Sequence, residues 1–295
     1  MANSTNRVPA DTNLNGAGRL QPISRRKKVT KCAVIAGPKT RVQLRDINPA
    51  GKPPGSKSEG EKTVARLSKR LAELQQVLYA EHERSVVIVL QGMDTGGKDG
   101  AIKAICADVD LNGIQLTNFK YPSPEEWDHD FLWRVHHAAP RKGSIAIWNR
   151  SHYEDVLVPR VHRQISDDVW RDRCDDINNF ERLLTHNGVT MLKFFLRISK
   201  EEQKTRLEAR LKDATKLWKF NEGDLKERAL WDDYQVAYEA VVNACGTEYA
   251  PWHIVPADRK WARNVFILEA IVDALEKMAP QYPEPTFDPA TIVVE

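Results

Sequence analysis

The sequence predicts an α/β chain folded as a three-layer α/β/α domain around a parallel five-stranded sheet. Three observations carry this. Five short, bounded, β-rich runs recur at Val86 to Leu90, Ile114 to Phe119, Ile145 to Trp148, Met191 to Ile198, and Ile254-Val255. The first of them is apolar throughout rather than alternating, the mark of a strand covered on both faces. The stretches between runs are helical in character and long enough for crossovers joining parallel strands.

Composition agrees with one soluble folded body. The chain has 295 residues, 41% of them hydrophobic and 29% charged, close to globular averages and far from those of a disordered or fibrous chain. Val86 to Leu90 is much shorter than the about 20 apolar residues a membrane span requires. The amino terminus has no apolar signal core, so a cytoplasmic protein with no membrane contact is expected. Cys32, Cys106, Cys174 and Cys245 are widely spaced, which reads as reduced thiols rather than a disulfide frame or zinc site. His136 and His137 are adjacent, a spacing that turns two helical side chains away from a shared metal.

Charge is uneven. Residues 1–60 hold 12 Lys/Arg against 3 Asp/Glu, together with 6 of the 16 prolines and 6 of the 15 glycines, so the rest of the chain is net acidic. The segment 1–60 is expected to be a basic arm, 61–285 the folded domain and 286–295 a tail. The run Arg25-Arg26-Lys27-Lys28 attracts polyanions in general, and a solvated tail without a task fits the same residues.

Taken in order, the domain opens with Val64, Leu67, Leu71, Leu74 and Leu78 at helical spacing, an amphipathic entry helix from Lys62 to about His82. Strand one then runs into the loop Gly92-Met93-Asp94-Thr95-Gly96-Gly97-Lys98. Lys120 follows strand two, at the carboxyl edge where open α/β sheets bind ligands. Strand three ends at Asn149-Arg150. After strand four, Ser199 and Glu202 have capping-box spacing and start a helix that carries Arg206 and Arg210 on one face. Those arginines, with Lys204, Lys212, Lys216 and Lys219, form the densest basic patch of the folded part. It suits a phosphate clamp or a solvated face. Trp218 and Phe220 suit either a cover for a base or an anchor for the connector, whereas Trp231, Tyr234 and Tyr238 have the spacing of a core stripe.

The glycine loop carries the chemistry. Between a strand and a helix, Gly92, Gly96, Gly97 and Lys98 satisfy the G-x-x-x-x-G-K pattern, in which curled backbone amides and a helix N-terminus hold phosphate. Asp99 occupies the place where such loops usually present a hydroxyl to Mg²⁺. Asp94 lies inside the loop, where a carboxylate repels phosphate unless a divalent cation intervenes, so Mg²⁺ (or Mn²⁺) is expected.

With its Gly-x-Asp-x-x-Gly-Lys form, the loop resembles the Walker A loop of the family-2 polyphosphate kinases. Further matches are Asn118-Phe119-Lys120, the stretch Asp128 to Arg134, and Asn149-Arg150-Ser151-His152-Tyr153-Glu154-Asp155-Val156-Leu157. Lys216 to Phe220, followed by Asp224 to Arg228, resembles that family's lid. The resemblance covers about residues 61–280. It implies a P-loop kinase fold with a helical lid at about 203–230, and phosphoryl transfer between inorganic polyphosphate and nucleoside mono- or diphosphates. It also implies a homo-oligomer. By motif match, Lys98 grips the transferring phosphate, Asp94 orients the acceptor through Mg²⁺, and Arg150 stabilises the transferred charge. Gly92, Met93, Thr95, Gly96, Gly97, Asp99, Lys120, Arg206, Arg210 and Lys219 are the implied phosphate and nucleotide contacts. Asn149 stands where many members carry a metal-binding Asp; it resembles a subset often called class III, with broader nucleotide acceptance, and retains only a carbonyl oxygen for metal. Adenine nucleotides are the implied partners, guanine nucleotides a further class, and nucleic acid is not expected. The alternatives are an ATP-dependent nucleoside monophosphate kinase of thymidylate or adenylate type, and a non-catalytic P-loop nucleotide-binding module.

Overall fold

The computed structural model describes residues 34–52 and 55–294. In chain order the elements are β1 (Val34–Ala36), α1 (Lys57–Glu81), β2 (Ser85–Gln91), α2 (Lys98–Ile105), β3 (Ile114–Asn118), α3 (Pro124–Trp127), α4 (Trp133–His137) and β4 (Ile145–Asn149). There follow α5 (Glu154–Val161), α6 (Asp167–His186), β5 (Val189–Arg197), α7 (Lys200–Lys212), α8 (Gly223–Ala229), α9 (Trp231–Ala244), β6 (Trp252–Pro256) and α10 (Lys260–Met278).

One sheet has the order β1-β6-β5-β2-β4-β3. Strands β2 to β6 pair in parallel, as the five β-rich runs predict. Helices α1, α2 and α10 pack together, as do α5, α6 and α9, and the two groups form the outer layers. Side chains of β2 are buried along its whole length, which is why its sequence reads as an unbroken apolar run.

The sheet has one strand more than expected. Val34–Ala36 pairs antiparallel with β6, Ile35 standing opposite His253. The segment behind it is stitched to the body: Val42 N–H donates to Asn243 Oδ1 at 2.8 Å, Leu44 N–H to Glu239 Oε2 at 2.8 Å, and Arg197 Nε to the Ile47 carbonyl at 2.7 Å. Val42 and Leu44 are buried. Proline, glycine and cationic composition conceals this because the segment is held by side chains of α9 and β5 rather than by a period of its own. Arg25 to Lys28 and Cys32 lie outside the described residues. Cys106, Cys174 and Cys245 are free thiols. Among the described residues no helix is long and apolar enough to cross a membrane.

The entry helix starts at Lys57, five residues before the expected Lys62, because Ser56 and Glu59 close a capping box. At α7 only half of the expected box forms. Ser199 Oγ accepts from Glu202 N–H at 3.1 Å, but the Ser199 N–H goes to Asp258 Oδ1 at 2.8 Å. Glu202 is thereby free to pair with Arg206 Nε at 2.7 Å.

The chain also buries an ion pair that no run predicts. Lys193, inside the apolar β5, donates to Glu181 Oε2 at 2.7 Å, Tyr153 OH at 2.9 Å and the Cys245 carbonyl at 2.7 Å. Tyr153 OH donates to Glu181 Oε1 at 2.7 Å, and His152 Nε2 lies 3.2 Å from the same oxygen. Desolvation pushes the Glu181 carboxyl up, but Lys193 and His152 outweigh it and hold the pKa below the usual range. This knot fixes the start of the segment that follows Arg150.

Candidate active site

The glycine loop connects β2 to α2 at the carboxyl ends of the strands, beside the ends of β4 and β3, where Asn149 pairs with both Leu90 and Asn118. A tight turn, Gly96 N–H to the Met93 carbonyl at 2.9 Å, closes the loop, and Thr95 inside it is left-handed with φ 62°. Gly97 has φ 101°, a conformation glycine adopts without strain. Lys98 spans the curl, its Nζ donating to the carbonyls of Gly92 at 2.6 Å and Met93 at 3.2 Å. Burial, reinforced by Arg150 and opposed by Asp94, Glu154 and Asp99, lowers its pKa to about 8.

Asp94 faces Arg150 Nη2 at 2.5 Å, while Arg150 Nη1 reaches Glu154 at 3.2 Å. Glu154 holds the Arg150 pKa above its ordinary value against desolvation, and Asp94 adds to the effect. Arg150 is itself left-handed, φ 62°, and its N–H caps the end of β2 through the Leu90 carbonyl at 3.0 Å. The carboxylate that from the sequence alone requires a cation to face phosphate thus has a guanidinium beside it. Gln203 Nε2 holds the Asp94 carbonyl at 3.1 Å.

Asn149 donates to Asn118 Oδ1 at 2.8 Å and to Asp99 Oδ1 at 3.3 Å, which leaves its own carbonyl oxygen available. The other Asp99 oxygen accepts from Lys219 Nζ at 3.2 Å. Desolvation raises the Asp99 carboxyl, but Lys219 and Asn149 prevail and hold its pKa down. Lys219 belongs to a short turn, Leu217–Lys219, between α7 and α8, so this contact ties the segment expected as a lid to the first turn of α2.

Arg206 and Arg210 share a face of α7 as their spacing requires, yet they work differently. Arg206 donates to the Thr95 carbonyl at 2.9 Å, Ala257 at 2.6 Å and Asp258 at 3.1 Å, so most of its guanidinium braces the loop from behind. Arg210 is partly exposed, 3.5 Å from Asp224 and 3.3 Å from the Lys219 carbonyl. Trp218 is 78% exposed and does not anchor the connector to the body.

Two cavities meet at this cluster. One of about 1200 Å³ is lined by the loop, Lys98, Arg206, Arg210, Lys216 and Lys219. The other, about 490 Å³, has walls of Phe119, Tyr121, Trp127, Leu157, Tyr234 and Tyr238. Asp94, Lys120 and Arg150 line both. Tyr234 and Tyr238 are buried as their spacing predicts, but they also close the floor of the second cavity.

Among the described residues no three acidic, histidine or cysteine side chains cluster as a metal cage. The set that is present, Asp94 with the Asn149 carbonyl oxygen, is made of hard oxygens and suits Mg²⁺, which ordinarily takes one or two protein oxygens and completes its shell with water and substrate phosphates.

Sequence reading misses Gln203 and Arg263, and it quotes Asn118 in a motif without giving it a role. Arg263 is a buried guanidinium of α10 against Gly97, about 165 residues along the chain from the loop, and it reads as one charge among many on an amphipathic helix.

The family model described as Polyphosphate kinase 2 matches residues 55–283. The chain is 48% identical over 241 residues to an AMP/ADP-polyphosphate phosphotransferase of Meiothermus ruber, covering 82% of this chain and 90% of that one. It is 40% identical over 229 residues to an ADP-polyphosphate phosphotransferase of Rhodopseudomonas palustris, 74% and 79% of the two chains. The crystal structure of Polyphosphate Kinase 2 from Arthrobacter aurescens TC1 superposes with a TM-score of 0.83 at 42% identity, covering 84% of this chain and 90% of that one. By the family model and these likenesses, the chain belongs to the Polyphosphate kinase 2 family.

Proposed function

We propose that this protein transfers a phosphoryl group between inorganic polyphosphate and AMP or ADP, reversibly and with Mg²⁺. The observation that carries this reading is the junction of the two cavities at Asp94, Lys120 and Arg150. The basic cavity suits a chain of phosphates, the aromatic-walled one a nucleoside, and the two substrates meet where the glycine loop and Lys98 stand.

In the forward direction an oxygen of the nucleotide's terminal phosphate attacks the end phosphorus of the polymer. The bridging P–O bond breaks, and the shortened chain leaves with the negative charge on its new end. The acceptor is already ionised, so no protein base is needed; positioning and charge neutralisation carry the rate. Lys98 and the loop amides hold the transferring group. Arg150 stands beside the charge that develops, and its guanidinium fork suits phosphate oxygens. Asp94 and the Asn149 carbonyl are the residues that would hold Mg²⁺, which when bound neutralises phosphate charge. Lys219 and Arg210 close over the basic cavity and keep water from the reacting phosphate.

Guanine nucleotides are a further acceptor class on this reading, and the active form is a cytoplasmic homo-oligomer, both supported by the family resemblance. The test is direct. Purified protein is incubated with polyphosphate, Mg²⁺ and, separately, AMP, ADP, GMP and GDP, and the nucleotides are resolved. Phosphorylated product from polyphosphate is expected. No gain with any acceptor, or gain only when ATP replaces the polymer, rejects the reading. Light scattering after size exclusion reads the assembly.

A further inference from the structure

Arg263 is 2% exposed, yet no carboxylate of the described residues lies within ion-pairing distance of its guanidinium. Its Nε and Nη2 donate to one oxygen, the Asn264 side-chain carbonyl, at 3.1 and 2.7 Å. Nη1 donates to no acceptor among the described residues. It is aimed instead at the glycine loop: a Cβ on Gly97 would stand 1.9 Å from Nη1, and one on Gly100 2.9 Å from Nη2. Two positions without side chains, at the start of α2, make room for this group.

A second guanidinium converges on the same turn. Arg206 Nη1 lies 3.5 Å from that Gly97 Cβ position, but Arg206 is neutralised by Glu202. Arg263 has no such partner, and burial together with Arg206 pushes its pKa down to about 10. Helix α10 adds to the excess, since its first turn holds no acidic residue and begins with Lys260. A buried cation without a counter-ion destabilises a fold, and so does cationic charge at a helix N-terminus. Both costs are relieved when an anion is bound between them.

We infer that Arg263 is a phosphate-binding residue, forming with Lys260 and Arg206 a subsite for a polyphosphate unit beyond the one transferred. This rests on the polyphosphate reading above. Arg263 and Lys260 line the basic cavity and not the aromatic one, so the anion they take belongs to the polymer rather than to the nucleotide. Lys260 stands at the outer end of this row: it also lines a separate surface cavity of about 570 Å³ in which Lys57 and Arg259 are matched by Glu61 and Asp258, so a phosphate reaching past Arg263 to Lys260 belongs to a long chain.

Steady-state kinetics of wild type, Arg263→Gln, Arg263→Lys and Lys260→Gln, with tripolyphosphate and with long-chain polyphosphate, test this. Arg263→Gln is expected to raise KM for both polymers roughly ten- to a hundredfold, as for a lost charge-assisted bond, with KM for the nucleotide unchanged. Arg263→Lys recovers part of the loss, and Lys260→Gln raises KM for long chains more than for tripolyphosphate. In thermal melting, a given concentration of tripolyphosphate stabilises the wild type more than Arg263→Gln. An unchanged polymer KM in folded Arg263→Gln overturns the subsite. Should that variant fail to fold, an unchanged long-chain KM in Lys260→Gln overturns it. A wild type with no polyphosphate-dependent transfer overturns the parent reading, and a wild type that transfers normally confines any failure to the subsite.

Discussion

Asp94 Oδ1 and Arg150 Nη2 stand 2.5 Å apart, joining the inside of the glycine loop to the residue just past β4. Because Arg150 is also held by Glu154 and by its own N–H on β2, the pair fixes the loop carboxylate at the junction of both cavities. Asp94→Asn keeps the shape and removes the charge. Turnover is expected to fall roughly 10²–10³-fold, the scale for removing one preorganised electrostatic group. The pair is partly exposed, so stability changes by under about 1 kcal/mol, read by urea unfolding. Full turnover in a folded Asp94→Asn would remove Asp94 from the mechanism.

Lys98 sets a pH dependence. Its folded pKa of about 8 lies below the ordinary 10.5, so between these values the folded chain holds fewer protons than the unfolded one. Stability without phosphate therefore rises with pH across that window. Phosphate needs the ammonium form, so kcat/KM for polyphosphate is expected to fall as pH rises past about 8. In Lys98→Arg, which stays charged, the residual activity should show no such limb; a limb at the same pH assigns it to another group.

The contact between Lys219 and Asp99, at 3.2 Å, joins residues 120 apart in sequence. Lys219→Gln is expected to cost under about 1 kcal/mol of stability, as befits a partly exposed pair. Its larger effect is on the connector between α7 and α8: hydrogen exchange in residues 213–222 should speed up, and KM for polyphosphate should rise several-fold. Exchange identical to wild type would show that this contact does not hold the connector.

The buried pair is the stability element. Lys193→Met leaves the buried Glu181 without its lysine counter-charge, which is expected to cost about 3–5 kcal/mol in denaturant unfolding. The double variant Lys193→Met/Glu181→Leu should be less destabilised than the sum of its singles, because the orphaned charge is gone. Additive effects would mean that the two side chains act independently.

Much of the fold is legible along the chain. Unbroken apolar strands, crossover lengths and the glycine loop depend on local pattern, and β2 to β6 form where that pattern stands. Lys98, Asp94, Arg150 and Asn149 come together because each ends or follows a strand of one parallel sheet, whose carboxyl edge collects them whatever the loops between. Lys193 is opaque for the opposite reason: in an apolar strand a lysine reads as an interruption, and only α6, packed across β5, shows that Glu181 meets it. Val34 to Leu44 is opaque because its acceptors lie about 200 residues away on α9.

What the amino-acid order by itself determined was therefore the layered sheet and the phosphate loop, since both are written in periodicity and in glycine's freedom at fixed positions. Tertiary structure alone decided that Arg206 braces the loop, that Lys219 contacts Asp99, that aromatic side chains wall a second cavity, and that Arg263 reaches Gly97 with no counter-charge among the described residues. Charges act through space over a few ångströms, and residues so separated in sequence acquire that proximity only once the helices have packed.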